Sequence, residues 1–192
     1  MNLGVITMSP HVGTHADAPM HVDSAWGASE TLPADVFVGA CVVIALPADY
    51  PVSVDISVAT LSGLLGDQTT MRVLVRTGYS VARGAFPEAW PALSLDAAQW
   101  LLDRGMRLWG SDAPSADRRD SQSLPVHHAL FGGGAYVLEN LALDGVAPGQ
   151  YELLAQPLAV HGADAAPVRA LLRAPSSDPP AIQAGDTTRS VI

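Results

Sequence analysis

Five of the six histidines fall in two short stretches: His11, His15 and His21 within SPHVGTHADAPMH, and His127 with His128 directly after Leu124-Pro125. His11, His15, Asp17 and His21 are separated by even numbers of residues, so an extended segment projects them to one side, where they converge. Neutral imidazoles with a carboxylate are borderline ligands that suit Zn²⁺ first, with Mn²⁺, Fe²⁺ or Co²⁺ as weaker candidates on ligand type. Pro10, Gly13 and Pro19 break the continuous helix that an HExxH site requires, which argues against a helical metalloprotease. Taken singly, His128 or His161 reads as an ordinary surface or core residue. Three imidazoles and an acid within eleven residues of one loop favour a metal or catalytic site instead.

The elements that hold these residues alternate between apolar runs of strand length and turn clusters, the pattern of a mixed α/β or α+β domain. Leu3 to Met8 reads as a strand entering the histidine loop, and Val36 to Leu46 as a long buried strand with a bulge at Gly39. Asp55 to Leu65 suits a short helix, and Met71 to Arg76 a strand ended by Thr77-Gly78. Ser94 is a good N-cap for a helix whose stripe is Leu95, Ala98, Leu101 and Leu102, stopped by Gly105. Met106 to Gly110 then reads as a strand feeding the loop SDAPSADRRDSQSLP, and Ala135 to Asn140 and Tyr151 to Pro157 as two more. Residues 1–173 make one domain on this reading, and 174–192, rich in Pro, Ser and Asp without apolar periodicity, a flexible tail.

Length and composition narrow the partners. A chain of 192 residues with 48% hydrophobic and 15% charged residues has enough apolar material for one core and is no disordered chain. Ten Lys+Arg against nineteen Asp+Glu leave a net charge of −9, which disfavours nucleic acid and anionic lipid. Cys41, alone of its type, precludes an intrachain disulfide; with no signal-peptide pattern at the start, the expected location is the cytoplasm. No apolar run reaches the roughly 18–20 residues of a bilayer span.

The segment His11-Val-Gly-Thr-His-Ala-Asp-Ala-Pro-Met-His21 resembles the HxGTHxDxPxH signature of the metal-dependent cyclase superfamily, and GSDAPS…DSQSLPVHH resembles its bacterial kynurenine formamidase (arylformamidase) branch. The likeness continues through ALSLDAAQWLLDRGMRLWGSDAPS to YVLENLAL and YELLAQPLAV. It implies a swivelling β/β/α fold with mixed sheets and few helices. It also implies a dinuclear centre in which His11, His15 and Asp17 hold one divalent metal, Asp17 bridges, and His127 and Glu139 complete the second, with Zn expected and Mn the alternative. His21 would transfer protons and His128 would support a ligand. Family members carry some tens of residues before the signature, so this chain reads as shortened at its N-terminus.

Hydrolysis of N-formyl-L-kynurenine to L-kynurenine and formate is the implied reaction, with a small aryl formamide as partner and a homodimer or larger assembly as the working unit. His21, with an ordinary pKa near 6.5, can deliver a proton to the departing aniline nitrogen. Thr14 could donate to a carboxylate ligand or a bound carboxyl group, or form an ST-turn with its own backbone; Trp26 and Phe37 are candidate pocket walls or core residues, and Asp112 and Ser115 suit an Asx-type turn. Two other readings stand beside this one: an isatin-hydrolase-like amidohydrolase, and a metal-binding module without catalysis.

Overall fold

The computed structural model describes residues 1–174, and among them eight strands form one sheet. These are β1 (His15–Asp17), β2 (Val38–Ala45), β3 (Arg72–Arg76), β4 (Leu108–Ser111), β5 (Tyr136–Glu139), β6 (Gly149–Leu154), β7 (Ala165–Pro167) and β8 (Leu171–Arg173), in the order β7-β1-β5-β4-β3-β2-β6-β8. The four central strands β5-β4-β3-β2 run parallel and the outer pairs antiparallel. Helices α1 (Val58–Leu65), α2 (Leu95–Asp103) and α3 (Pro125–Gly132) connect the parallel strands in turn. Because the crossovers step one way across the sheet and share a hand, all three helices fall on one face. A mixed sheet with few helices is the architecture expected above.

Side-chain alternation divides the strands between two cores. Val42, Ile44, Val73, Val75, Trp109 and Val137 pack beneath the helices with Leu61, Leu101 and Leu130. Their neighbours Cys41, Val43, Leu74, Leu108 and Leu138 face the other way, against Phe37, Leu141 and Leu153. Gly110 sits where β4 is most crowded: a Cβ there would approach Leu74 Cδ2 to 2.5 Å. Helix α2 begins as expected, Ser94 Oγ accepting from Ala97 N, and the chain leaves it through Gly105 at φ +84°. Among the described residues no helix is long and apolar enough to cross a membrane.

Several expectations need correction. Leu3–Met8 forms no strand; Leu3, Val5 and Ile6 are 88%, 92% and 86% exposed. Its apolar composition supplies propensity but no partner, because β1, the nearest strand in the chain, already pairs with β5 on one side and β7 on the other. Gly39 makes no bulge, since the β2–β6 ladder runs unbroken from Val38 opposite Leu154 to Val43 opposite Gly149. The position needs glycine for two reasons: its φ is +127°, and a Cβ would come within 3.0 Å of the Arg72 guanidinium, which donates to the carbonyls of Asp35, Val36 and Ala40. The SDAPSADRRDSQSLP loop leads into α3, with Pro125 in its first turn, and β7 and β8 add edges that composition did not mark. The expected tail lies, beyond Ala174, outside the described residues.

Candidate metal centre

Strand β1 puts His15 and Asp17 on one face and buries Ala16 on the other. Register places His15 opposite Glu139 and Asp17 opposite Val137, so the acid at the end of β5 and the imidazole of β1 are cross-strand neighbours on the helix side of the sheet. Helix α3 lowers His127 onto them. His11 arrives on the turn before β1, and His21 at the end of a short 3-10 turn, Pro19–His21. Even spacing along an extended chain therefore accounts for His15 and Asp17 alone; turns deliver the other two histidines.

Asp17 is the centre of the cluster, 1% exposed. Its Oδ1 lies 3.1 Å from His11 Nδ1 and 3.2 Å from His15 Nε2, and its Oδ2 3.2 Å from His127 Nε2. His127 Nε2 is also 3.2 Å from Glu139 Oε1, and His15 Nε2 3.5 Å from Glu139 Oε2. His11 Nδ1 and His15 Nε2 face each other at 3.2 Å. Buried Asp17 Oδ1 has no hydrogen-bond partner although two imidazole nitrogens stand so close, because neither presents an aligned N–H.

That orphaned oxygen tests whether a cation fits. Ligand atoms 2.0–2.2 Å from a tetrahedral centre lie about 3.3–3.6 Å apart. The nitrogen and oxygen atoms here are already separated by 3.1–3.5 Å. Two trios of ligand atoms meet within 4.8 Å: His11, Asp17 and His21, and His15, Asp17 and Glu139. The donor set fits a divalent metal ion.

The imidazoles of His11, His15 and His127 each have an oxygen on the far side, which fixes which nitrogen faces the cluster. His15 Nδ1 donates to the Gly13 carbonyl at 2.8 Å, reached because Gly13 turns with φ +70°. His127 Nδ1 donates to Asp117 at 2.6 Å, and His11 Nε2 to Asp164 at 3.1 Å. Asp164 also lies 3.5 Å from His21 Nδ1, at the limit of a hydrogen bond. Asp117 additionally accepts from the N–H groups of Val126 and His127, capping α3 in place of Leu124, which has no capping side chain.

Charge follows geometry. Burial works against a charged His15, yet Asp17 and Glu139 outweigh it and hold the ring at about 10. Burial is likewise outweighed at His127, which Asp117, Asp17 and Glu139 hold above the usual imidazole range. Asp17 resists its own burial and stays well below the carboxylate range beside His11, His127 and His15. The pocket is thus built for positive charge, held by protons or by a metal.

Asp117 and Asp164 were missed by sequence reading. Recognition of α3, whose entry residue cannot cap it, would have directed attention to a nearby acid such as Asp117; Asp164 in GADAAPVR carries no local signal. His128 is exposed and packs edge-on against Trp26, away from the cluster, because it is one residue round the helix from His127. Phe37 is core, fully buried, and Trp26 stays with His128; the aromatic side chains lining the cleft beside the cluster are Phe86 and Trp90. Thr14 donates to the Asn140 carbonyl at 2.7 Å rather than to a carboxylate. Ser115 accepts from Asp117 N and so forms the expected local turn, whereas Asp112 makes none: it accepts from Thr77 and Gly78, tying the end of β4 to the segment after β3.

Residues 4–118 match the Cyclase family model. A kynurenine formamidase of Salinibacter ruber is 43% identical over 174 residues, covering 90% of this chain and 80% of that protein. A solved structure described as a potential metal-dependent hydrolase with cyclase activity superposes with a TM-score of 0.77 at 34% identity, covering 89% of this chain and 83% of the other. Isatin hydrolase A from Labrenzia aggregata superposes with a TM-score of 0.73 at 30% identity, over 86% and 74% of the two chains. The chain belongs to the cyclase family.

Proposed function

We propose that this protein is a metal-dependent hydrolase that cleaves the formamide of N-formyl-L-kynurenine, releasing L-kynurenine and formate, as a cytoplasmic homodimer. The observation that carries the reading is the division of labour at Asp17: one carboxylate oxygen faces His11 and His15, the other His127. Such a carboxylate could serve two ions: His11, His15 and Asp17 would hold one and Asp17, His127 and Glu139 the other, with Zn²⁺ the metal of choice for such donors over Mn²⁺. Identity to a kynurenine formamidase supports the substrate.

When bound, the two ions supply Lewis acidity at the formyl oxygen and a water acidified towards neutral pH. The residues of the chain supply the rest. His21 stands beside His11 and Asp17, with ring centroids 4.5 Å from His11, and carries the proton to the aniline nitrogen as the C–N bond breaks. Asp164, next to its Nδ1, orients that ring and leaves the other nitrogen for transfer. Glu139 is held in place by the Ala116 N–H. The aryl ring lies in the cleft of about 400 Å³ that Phe86 and Trp90 line.

His21→Ala should keep its metal and lose most turnover, whereas Asp17→Ala should lose both; elemental analysis beside a turnover assay reads the pair. Equal metal loss would make His21 a ligand, a role that its place in one trio also allows. The second reading, ring opening of isatin, draws on the likeness to isatin hydrolase A. Turnover of isatin without turnover of N-formyl-L-kynurenine would replace the first reading with it.

A further inference from the structure

The cleft beside the histidine and carboxylate cluster contains a cation that formamide hydrolysis at that cluster does not use. Arg118 and Arg119 both line it. Arg118 is committed, its Nη2 2.7 Å from Asp55 Oδ1 and 2.9 Å from the Ser53 carbonyl. Arg119 is exposed, and among the described residues no carboxylate pairs with it.

Its surroundings hold it in place without neutralising it. Arg119 Nη1 donates to the Glu88 carbonyl at 3.0 Å, and the guanidinium carbon lies 5.7 Å from the centre of the Phe86 ring. Phe86 in turn meets Trp90 edge-on at 5.9 Å, and Trp90 is pinned by its indole N–H on the Asp117 carbonyl at 2.8 Å. Phe86 is 60% exposed, so part of this aromatic surface faces the open cleft. One donor of the guanidinium is used on Glu88; its remaining N–H groups keep the fork that matches a carboxylate bidentately.

We propose that Arg119 binds the α-carboxylate of the substrate while the aryl ring lies against Phe86 and Trp90, so that the site selects aryl formamides bearing a carboxylate over neutral ones. This rests on the formamidase reading and deepens it: N-formyl-L-kynurenine combines a formanilide, which goes to the cluster, with an amino-acid side chain that must find a partner farther out. Isatin, flat and without a carboxylate, has no use for such a group.

The test compares metal-loaded wild type, Arg119→Gln and Arg119→Lys on N-formyl-L-kynurenine and on 2-formamidoacetophenone, which keeps the formanilide and lacks the amino acid. Binding of L-kynurenine and of 2-aminoacetophenone is titrated in parallel. Arg119→Gln should lower the ratio of kcat/KM for the two substrates about ten- to hundredfold, the loss falling on KM, and weaken L-kynurenine binding to the same degree. Arg119→Lys, with the charge but without the fork, should recover part of it. An unchanged ratio with unchanged L-kynurenine binding overturns the proposal. Wild type that cleaves neither substrate while binding L-kynurenine through Arg119 would sink the hydrolase reading and leave the anchor standing.

Discussion

Replacing Asp117 with Asn separates two jobs that one buried carboxylate performs. Asp117 Oδ1 accepts from Val126 N at 3.0 Å, and Oδ2 from His127 N at 3.1 Å and His127 Nδ1 at 2.6 Å. Asparagine keeps one acceptor oxygen and sets an NH₂ group against donors. The lost cap bond costs about 1 kcal/mol and the lost charge-assisted bond to His127 about 1.5–3 kcal/mol. For a chain of this size, about 2.5–4 kcal/mol lowers the Tm of the metal-free protein by about 5–16 °C. Independently, His127 loses the acceptor that fixes its tautomer and raises its basicity, which weakens metal affinity about 10–100-fold. Thermal unfolding followed by circular dichroism measures the first effect, and competition with a chromophoric chelator the second. A lowered Tm with undiminished metal affinity would show that Asp117 serves only the helix, and would refute the argument that the far side of each imidazole matters to the cation.

Because His15 is held at about 10 and His127 is also raised, metal uptake at pH 8 must expel protons, and apparent affinity should climb with pH. Calorimetry in buffers of differing ionisation enthalpy counts those protons, and zero release contradicts the assignment. The metal-free fold has the opposite trend: since His15 rises from 6.5 to about 10 on folding, its contribution is complete below pH 6.5 and disappears as pH passes through about 10, which denaturant titrations across that range would register. Burial pushes the Cys41 thiol up to about 12, so the folded protein should resist an aromatic disulfide reagent at pH 8 until denaturant is added; stoichiometric labelling without it would contradict the packing. Asn140 adopts φ +56°, so Asn140→Ala should lose about 1–2 kcal/mol in chemical denaturation and Asn140→Gly much less; equal losses would place the cause in the side chain.

What the sequence disclosed about the centre was its ligand types rather than its shape. His11, His15, Asp17 and His21 announce themselves by crowding, whereas Glu139 gains meaning only opposite His15 across β1 and β5, a register that no local pattern encodes. Strand β2 and helix α2 were legible because period and capping are local properties. Strand β1 is three residues long, too short for alternation to show, and Pro125 hid α3 by looking like a loop residue while serving in its first turn. Leu3–Met8 misled for the converse reason: its composition suits a strand, but the ladder beside it is already taken. Asp117 and Asp164 act through histidines 10 and 153 positions away, and proximity of that kind is written in the topology.

Strand β1 is clamped between β5 and β7, and β7 is drawn from residues 165–167, near the far end of the described chain. Asp17 and His127 meet across 110 positions and Glu139 lies farther on still, so no early fragment emerging from the ribosome can contain the whole set of candidate ligands. Loading with metal would therefore follow synthesis of the chain through Glu139, and occupancy becomes a reporter of how far the polypeptide has been made: a nascent chain stalled before His127 should leave its first histidines empty-handed, however much zinc surrounds them.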